Sequence, residues 1–492
     1  MAKLLKLVNQ NILFLGIAFL LLFIPLYPKF PLVSVSETYV SIRLEDFFVA
    51  AIVAIYFIKL FLAKDFSVLK DNLTRLILLY FCAGLLSIVS GLFITKNIVF
   101  HLAFLHFLRR VEYISLFFVA YSSFSDRRQL RTFGWMILLS TFGVIFYGLG
   151  QKFLGWPVVS TMNKEFSKGM ILRLTWWARV NSTFAGHYDL AAYLVMILCL
   201  VISALLIVKQ WRIKILIIFL GIFSYYLLIL TASRVSFVAY LVGGLFVLFF
   251  AGKKWWIIPF LALSILGMVF SDDLGQRYAA TFHLDLSFLS GSVVVKPKEI
   301  ALVLPTATPT PLPTATPTPL PLSKSASKTK RLPTPTATPT PVPEVATPSA
   351  EYFEPTTLAV SRSTDIRLKV EWPRAILAFA KNPLLGTGYS SITLATDNDY
   401  LRMLGETGLV GSLAFLLVIL EIFRRIFVFL KKNQSRESRL IILGISGAAI
   451  GYFLNATFID VLESSKIAFF FWIMMGVALK VIDINKERGK LT

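Results

Sequence analysis

The side chains of this chain with the means to do chemistry fall in four short stretches. The first reads Arg173-Leu-Thr-Trp-Trp-Ala-Arg179-Val-Asn181-Ser182-Thr183-Phe-Ala-Gly186-His187-Tyr-Asp189. The second is Thr231-Ala-Ser233-Arg234, a tight connection between two apolar runs. The third begins Asn382-Pro383-Leu-Leu-Gly386-Thr-Gly388-Tyr389 and continues through Thr396-Asp397-Asn398-Asp399-Tyr400 into Leu404-Gly405-Glu406-Thr-Gly408-Leu-Val-Gly411. The fourth lies well inside an apolar run and holds Arg109, Arg110 and Glu112.

Each stretch has a chemical and a plainer reading. An arginine at the end of an apolar run binds an anionic ligand through its planar, always-charged fork, or it snorkels to lipid phosphate. Acids at the mouth of a helix serve as a general base, or they cap its N-terminus. Ionisable groups deep in an apolar run are costly and face a bundle interior or a wet cavity. Arg109, Arg110 and Glu112 therefore form either an ion pair that fixes helix packing or, with Asn398 and Tyr400, part of a polar cavity. Metal chemistry is not indicated. His101, His106, His187 and His283 lack zinc-site spacing, and there is no Walker loop and no GxSxG. His101 and His106, inside the same apolar run, read as buried, hydrogen-bonded side chains.

The elements that must position these residues are membrane helices. Of 492 residues, 57% are hydrophobic and 15% charged, against roughly 25% charged in an ordinary soluble protein. Mean hydropathy is +0.74. Twelve apolar runs approach the roughly 20 residues a span requires: 12–27, 47–63, 76–94, 98–122, 132–150, 188–208, 214–231, 235–251, 255–270, 407–423, 440–457 and 467–482. The fold expected is an all-α polytopic membrane protein of about twelve transmembrane helices. The first run follows Lys3 and Lys6 without a small-residue cleavage site, which favours an uncleaved first span over a signal peptide. Cys82 and Cys199 both fall inside apolar runs, so no disulfide framework is expected.

Charge orients the bundle. Lysine and arginine exceed aspartate and glutamate by 22. The excess collects in short connections, every second one strongly basic: Lys64, Lys70 and Arg75; Arg127, Arg128 and Arg131; Lys209, Arg212 and Lys214; Lys253 and Lys254; Arg424 through Arg439; and the C-terminal Lys486, Arg488 and Lys490. This is the positive-inside pattern rather than a nucleic-acid surface. It puts both termini in the cytoplasm and two long loops, about 151–187 and 271–406, on the outside. The chain then divides into helices one to nine (1–270), an extracytoplasmic loop (271–406), and helices ten to twelve with a cytoplasmic tail (407–492).

Within the longer loop, PTATPTPL occurs at 305–312 and 313–320 and PTATPTPV at 335–342. Proline removes donors and favours extended backbone, so 303–349 is expected to be a disordered, solvated spacer. Its Lys324, Lys328, Lys330 and Arg331 either touch anionic polymer or lipid, or are simply solvated. At the end of the loop, 361–381 has helical character, with Trp372, Ile376, Leu377 and Phe379 at helix spacing. It is too short and polar to span, and should lie on the membrane surface or cap the bundle.

Taken in order, RVNSTFAGHYDLAAYL, LTASRVSF, and NPLLGTGYSS followed by DNDYLRMLGETGLVG resemble the O-antigen ligase and polymerase superfamily. The likeness covers nearly the whole chain except the Pro/Thr insert. It implies a metal-independent glycosyltransferase without cofactor, acting at the outer face of the cytoplasmic membrane. The donor it implies is an undecaprenyl-diphosphate-linked glycan, and the acceptor a glycan or a lipid. By motif position, Arg179 and Arg234 would hold the diphosphate, with Arg173 third, and Asp397 would be the catalytic base. Ligases of the family carry His-Asn where this chain has Asp397-Asn398, which tilts the expectation towards a polymerase or related polysaccharide-joining enzyme. His283 is a conceivable replacement, although distant in sequence. A lipid-linked sugar flippase is the leading rival, but many transporters are two repeats, and no matching half is visible. The third reading is a non-catalytic scaffold whose spacer reaches the cell wall.

Overall fold

The computed structural model describes residues 2–35, 41–64, 66–161, 166–175, 178–269, 364–393, 395–432 and 435–491, with Ser271, Leu274 and Tyr278. The Pro/Thr insert with its basic residues, and His283, lie outside the described residues. The chain divides into a large unit, 1–290 with 356–492, and a small one, 291–355; every described helix belongs to the large unit.

The helices are α1 (Ala2–Leu26), α2 (Leu44–Ala63), α3 (Asn72–Val89), α4 (Phe100–Ser122), α5 (Arg127–Phe153), α6 (His187–Ile207), α7 (Trp211–Leu230), α8 (Arg234–Phe250), α9 (Ile257–Val269), α10 (Trp372–Lys381), α11 (Asp399–Lys431), α12 (Arg436–Asn455) and α13 (Ser465–Leu491). Each expected apolar run falls on a helix. Seven helices have both the length and the apolarity of a membrane span, and Asn11–Leu26, Arg234–Phe250 and Lys254–Val269 are shorter apolar helices. Helix α4 carries its apolar run together with Arg109, Arg110 and Glu112, and α11 is broken at Gly408. This is a multi-pass membrane protein. Two small antiparallel hairpins are its only described strands: Val33–Ser34 with Ser41–Ile42, and Val158–Val159 with Ile171–Leu172.

Burial sorts the helices into layers. In α13, 83% of the most apolar window is buried, and in α6 and α12 67%, against 11% in α2. Helix α13 buries every residue from Ile467 to Met475, so it has no polar face and belongs at the centre. Helix α6 packs on α12, α7 and α8; α4 packs on α13, α3 on α11, and α1 on α5. Outward-facing side chains such as Phe61 and Leu62 stay apolar although exposed. That surface suits hydrocarbon as its solvent.

The break in α11 has a local cause. Gly408 adopts φ 63° and ψ −167°, a region open essentially to glycine. The 382–389 loop packs into the gap. Leu409 N donates to Pro383 O at 2.8 Å, Val410 N to Leu384 O at 3.1 Å, Thr387 N to Gly405 O at 3.0 Å and Gly388 N to Glu406 O at 2.9 Å. Polar backbone freed from the helix is thus satisfied by protein, as irregular backbone at membrane depth must be. Gly386, at φ 71°, allows the approach, since a Cβ there would sit 2.3 Å from Glu406 O. On the other side, Ser87 Oγ donates to Glu406 O at 2.5 Å and Ser90 Oγ to Gly386 O at 2.7 Å. Helix α10 packs on α11, with Ala375 buried and Ile376 and Leu377 exposed. It falls within the 361–381 stretch expected to be helical.

Candidate functional site

Helices α6, α8 and α11 all begin at one end of the bundle, and the chain before each is fixed by buried hydrogen bonds. Before α6, Gln151 brackets Ser182: its Oε1 accepts from Ser182 N at 2.8 Å and its Nε2 donates to Ser182 O at 2.9 Å. Ser182 Oγ donates to Val144 O at 2.7 Å. Thr183 Oγ1 donates to Pro25 O at 2.5 Å. The backbone carrying Arg179 is therefore held against α5 and α1, and Arg179 Nη1 lies 2.7 Å from His187 Nε2. Before α8, Ser233 Oγ donates to Ser236 Oγ at 2.8 Å, which donates to Asn455 Oδ1 at 2.7 Å. That chain ties the Arg234 turn to α12.

Before α11, Asp460 does the holding. Its Oδ2 accepts from Thr396 N at 3.0 Å and its Oδ1 from Asn398 N at 3.2 Å. Asn398 Oδ1 caps α11 by accepting from Leu401 N at 3.0 Å. Asp399 N donates to Ala456 O at 2.9 Å, and Asp399 Oδ2 accepts from Leu462 N at 2.9 Å. Between these anchors Asp397 takes a left-handed conformation, φ 48°. Aspartate tolerates that better than most residues.

The three beginnings meet. Arg234 lies within electrostatic range of Arg179, Arg367, Tyr188 and Tyr278. Arg367, one turn before α10, is hydrogen-bonded to Tyr188 and holds Asp397 Oδ2 with Nη2 at 2.7 Å and Nε at 3.0 Å. Glu371 faces the same group. Burial, then the neighbouring charge of Asp397, raises its carboxyl to about 7, with Arg367 opposing. Its Oε2 is buried without a hydrogen-bond partner among the described residues. Burial also raises the Asp397 carboxyl above the usual aspartate range, against the pull of Arg367. A further layer supports α6. Asp189 lies 3.6 Å from Lys29 and accepts from Ser464 Oγ at 2.7 Å. Lys466 Nζ donates to Thr183 O at 2.9 Å and to Tyr27 O at 2.5 Å. Burial lowers Lys29 to about 8, with Asp189 opposing.

Other expected site residues stand elsewhere or play other parts. Arg173 is exposed just after Ile171–Leu172, and no described contact joins it to this group. Tyr400 Oη donates to Phe453 O at 2.8 Å. Arg109, Arg110 and Glu112 do not pair with each other. Arg109 Nη2 lies 3.2 Å from Ser41 O and 3.8 Å from Asp46, while Arg110 pairs with Glu463 and donates to Leu462 O at 3.0 Å. The ion pair with Glu112, one of the two readings of the sequence, is not formed; Asp46 of α2 and the 462–463 turn hold the arginines instead. Among the described residues the three line two cavities rather than one. Arg110 lines a small cavity of about 30 Å³ with Asp399, Arg402 and Glu406. Arg109 and Glu112 line a separate groove of about 490 Å³ with Asp46 and His106.

Sequence reasoning missed Arg367, Glu371 and Asp460. The first two sat in plain view on a segment read only as a capping helix. Asp460 lies in the short connection between the last two runs, an acid whose role depends on which backbone it meets.

The family described as O-antigen ligase matches residues 219–416. That stretch holds Arg234, Arg367, Glu371, Asp397 and the broken start of α11, while Arg179 precedes it. No curated protein matches the chain. This match, over the residues that build most of the site, supports the likeness of the chain to the O-antigen ligase and polymerase superfamily of membrane glycan-transfer proteins.

Proposed function

We propose that the protein joins glycans carried on undecaprenyl diphosphate, at the outer face of the cytoplasmic membrane, with both termini inside and the 271–406 loop outside. The observation that carries this reading is the convergence of Arg179, Arg234 and Arg367 at one end of the bundle. Three guanidinium groups beside two tyrosines form a site for a diphosphate. The Pro/Thr segment 303–349 is not needed for transfer in this scheme.

In the reaction, an acceptor hydroxyl attacks the anomeric carbon of the donor glycan. The bond from that carbon to the diphosphate oxygen breaks, and the leaving diphosphate keeps the electron pair. The arginines offset the charge that grows on it, a task that needs neither metal nor cofactor in this scheme. The hydroxyl proton passes to a carboxylate. Asp397 stands where ligases carry histidine, and it orients Arg367 and raises Glu371. Glu371, poised near neutrality, takes the proton. The acceptor is a glycan or a glycolipid; a second growing chain, giving polymerisation, fits the missing histidine better. Incubating purified protein with a lipid-diphosphate glycan tests the reading. Lengthened chains support a polymerase, and transfer to an added acceptor supports a ligase. Transport across vesicles without covalent transfer would support a flippase instead.

A further inference from the structure

Toward the end of the bundle where α5, α7 and α12 begin, α5, α6, α7, α12 and α13, with Leu21 of α1, line a half-open cavity of about 1140 Å³. Its depth is apolar, walled by side chains such as Phe133, Leu200, Ile217, Ile445 and Met474. Its rim is basic. Arg127 and Arg131 stand at the start of α5, Lys209 and Lys214 around the start of α7, and Arg436 at the start of α12. The single acid there, Glu437, is used by Arg127 at 3.1 Å. Arg131, Lys209, Lys214 and Arg436 form no ion pair with another described residue. The three helices that begin at the rim add the positive ends of their dipoles.

A cavity that is apolar within and cationic at its mouth matches one kind of molecule in both parts. We propose that it binds an anionic diacyl phospholipid, with the phosphate on the Arg131–Lys214–Arg436 rim and the acyl chains along α5 and α7. Basic pockets between membrane helices recognise anionic headgroups in this way. Free phosphate would satisfy the rim and leave the apolar depth empty. A neutral lipid would fill the depth and leave four cations unanswered. The proposal does not depend on the glycan-transfer chemistry. It uses that reading only to assign the site to the cytoplasmic leaflet.

Gly134 provides a clean probe. It lines the cavity on α5, and a Cβ built there meets nothing within 4 Å. Gly134→Leu therefore adds an apolar side chain at the cavity wall, its Cβ clear of every described neighbour. The experiment takes full-length protein in detergent and adds phosphatidylglycerol, phosphatidylcholine of the same chains, undecaprenyl phosphate or inorganic phosphate. Lipid retained after gel filtration is read by mass spectrometry. Phosphatidylglycerol should be retained at least about ten-fold over phosphatidylcholine, and inorganic phosphate should not displace it. Gly134→Leu should lose that retention while eluting as the wild type does. Arg131→Ala/Lys214→Ala/Arg436→Ala should weaken it on the order of a hundred-fold, since each charge near the surface is worth about five-fold. Equal retention of the two phospholipids, displacement by inorganic phosphate or preference for undecaprenyl phosphate would each overturn the proposal. So would full retention in Gly134→Leu, a variant that leaves the orienting charges intact even if the triple variant inserts wrongly.

Discussion

Arg367 grips Asp397 through two nitrogens, Nη2 at 2.7 Å and Nε at 3.0 Å from the same carboxylate oxygen. The pair joins the helix that caps the bundle to the loop that starts α11. Asp397 is engaged by Arg367, and Glu371 beside it has a buried oxygen without a hydrogen-bond partner among the described residues.

Glu371 should therefore set the pH dependence of transfer. A base works deprotonated, and this carboxyl is raised to about 7 by burial and by Asp397. Activity should climb as pH rises through about 7 and level off above it. Glu371→Gln should lower turnover about a hundred-fold, within the usual range for a general base, and flatten the profile. A rate profile rising instead between pH 4 and 5 would point to an unperturbed carboxylate and away from Glu371.

The arginines should resist conservative replacement. Arg179→Lys and Arg234→Lys keep the charge but lose the two-point contact to phosphate. Arg→Ala at either position should cost on the order of 2–4 kcal/mol, roughly 30- to 1000-fold in rate. Lysine should recover only part of that. Side chains that merely snorkel to headgroups would tolerate lysine almost freely, so turnover of each variant, normalised to membrane abundance, separates the two roles.

The broken helix should be intolerant of a methyl group. In Gly408→Ala the new Cβ would stand 2.4 Å from Leu384 O at a backbone conformation open essentially to glycine. A loss of about 1–3 kcal/mol is expected, seen as a lower unfolding temperature of the purified protein. An unchanged melting temperature would mean that the 382–389 loop does not need the break.

The helices were legible in sequence because lipid imposes one simple requirement: some twenty apolar residues with every backbone group satisfied internally. Arg179 and Arg234 stood out in the sequence as charges that the positive-inside trend does not explain, and Asp397 by its place in the motif. The partners of buried charges did not. Arg110 finds Glu463 from more than 350 positions away, rather than nearby Glu112, and helix packing alone decides that. The convergence of Arg367 on Asp397 likewise depends on where α10 lands on α11, which periodicity leaves open.

Orientation can be tested apart from chemistry. In a Cys82→Ser background, Cys199 is the remaining native thiol and is fully buried. A Ser325→Cys variant should react with a membrane-impermeant thiol reagent in intact cells. Reaction only after the membrane is opened would invert the topology and remove the outer-face site with it.

One assay tests glycan transfer most directly: purified protein, a labelled undecaprenyl-diphosphate glycan, and the glycan products resolved by size. The wild type should convert the donor to longer or transferred glycan and release undecaprenyl diphosphate, and Arg234→Lys should do so at least about ten-fold more slowly. Wild-type protein that binds the donor and leaves it chemically unchanged, or an Arg234→Lys variant as fast as the wild type, would contradict it.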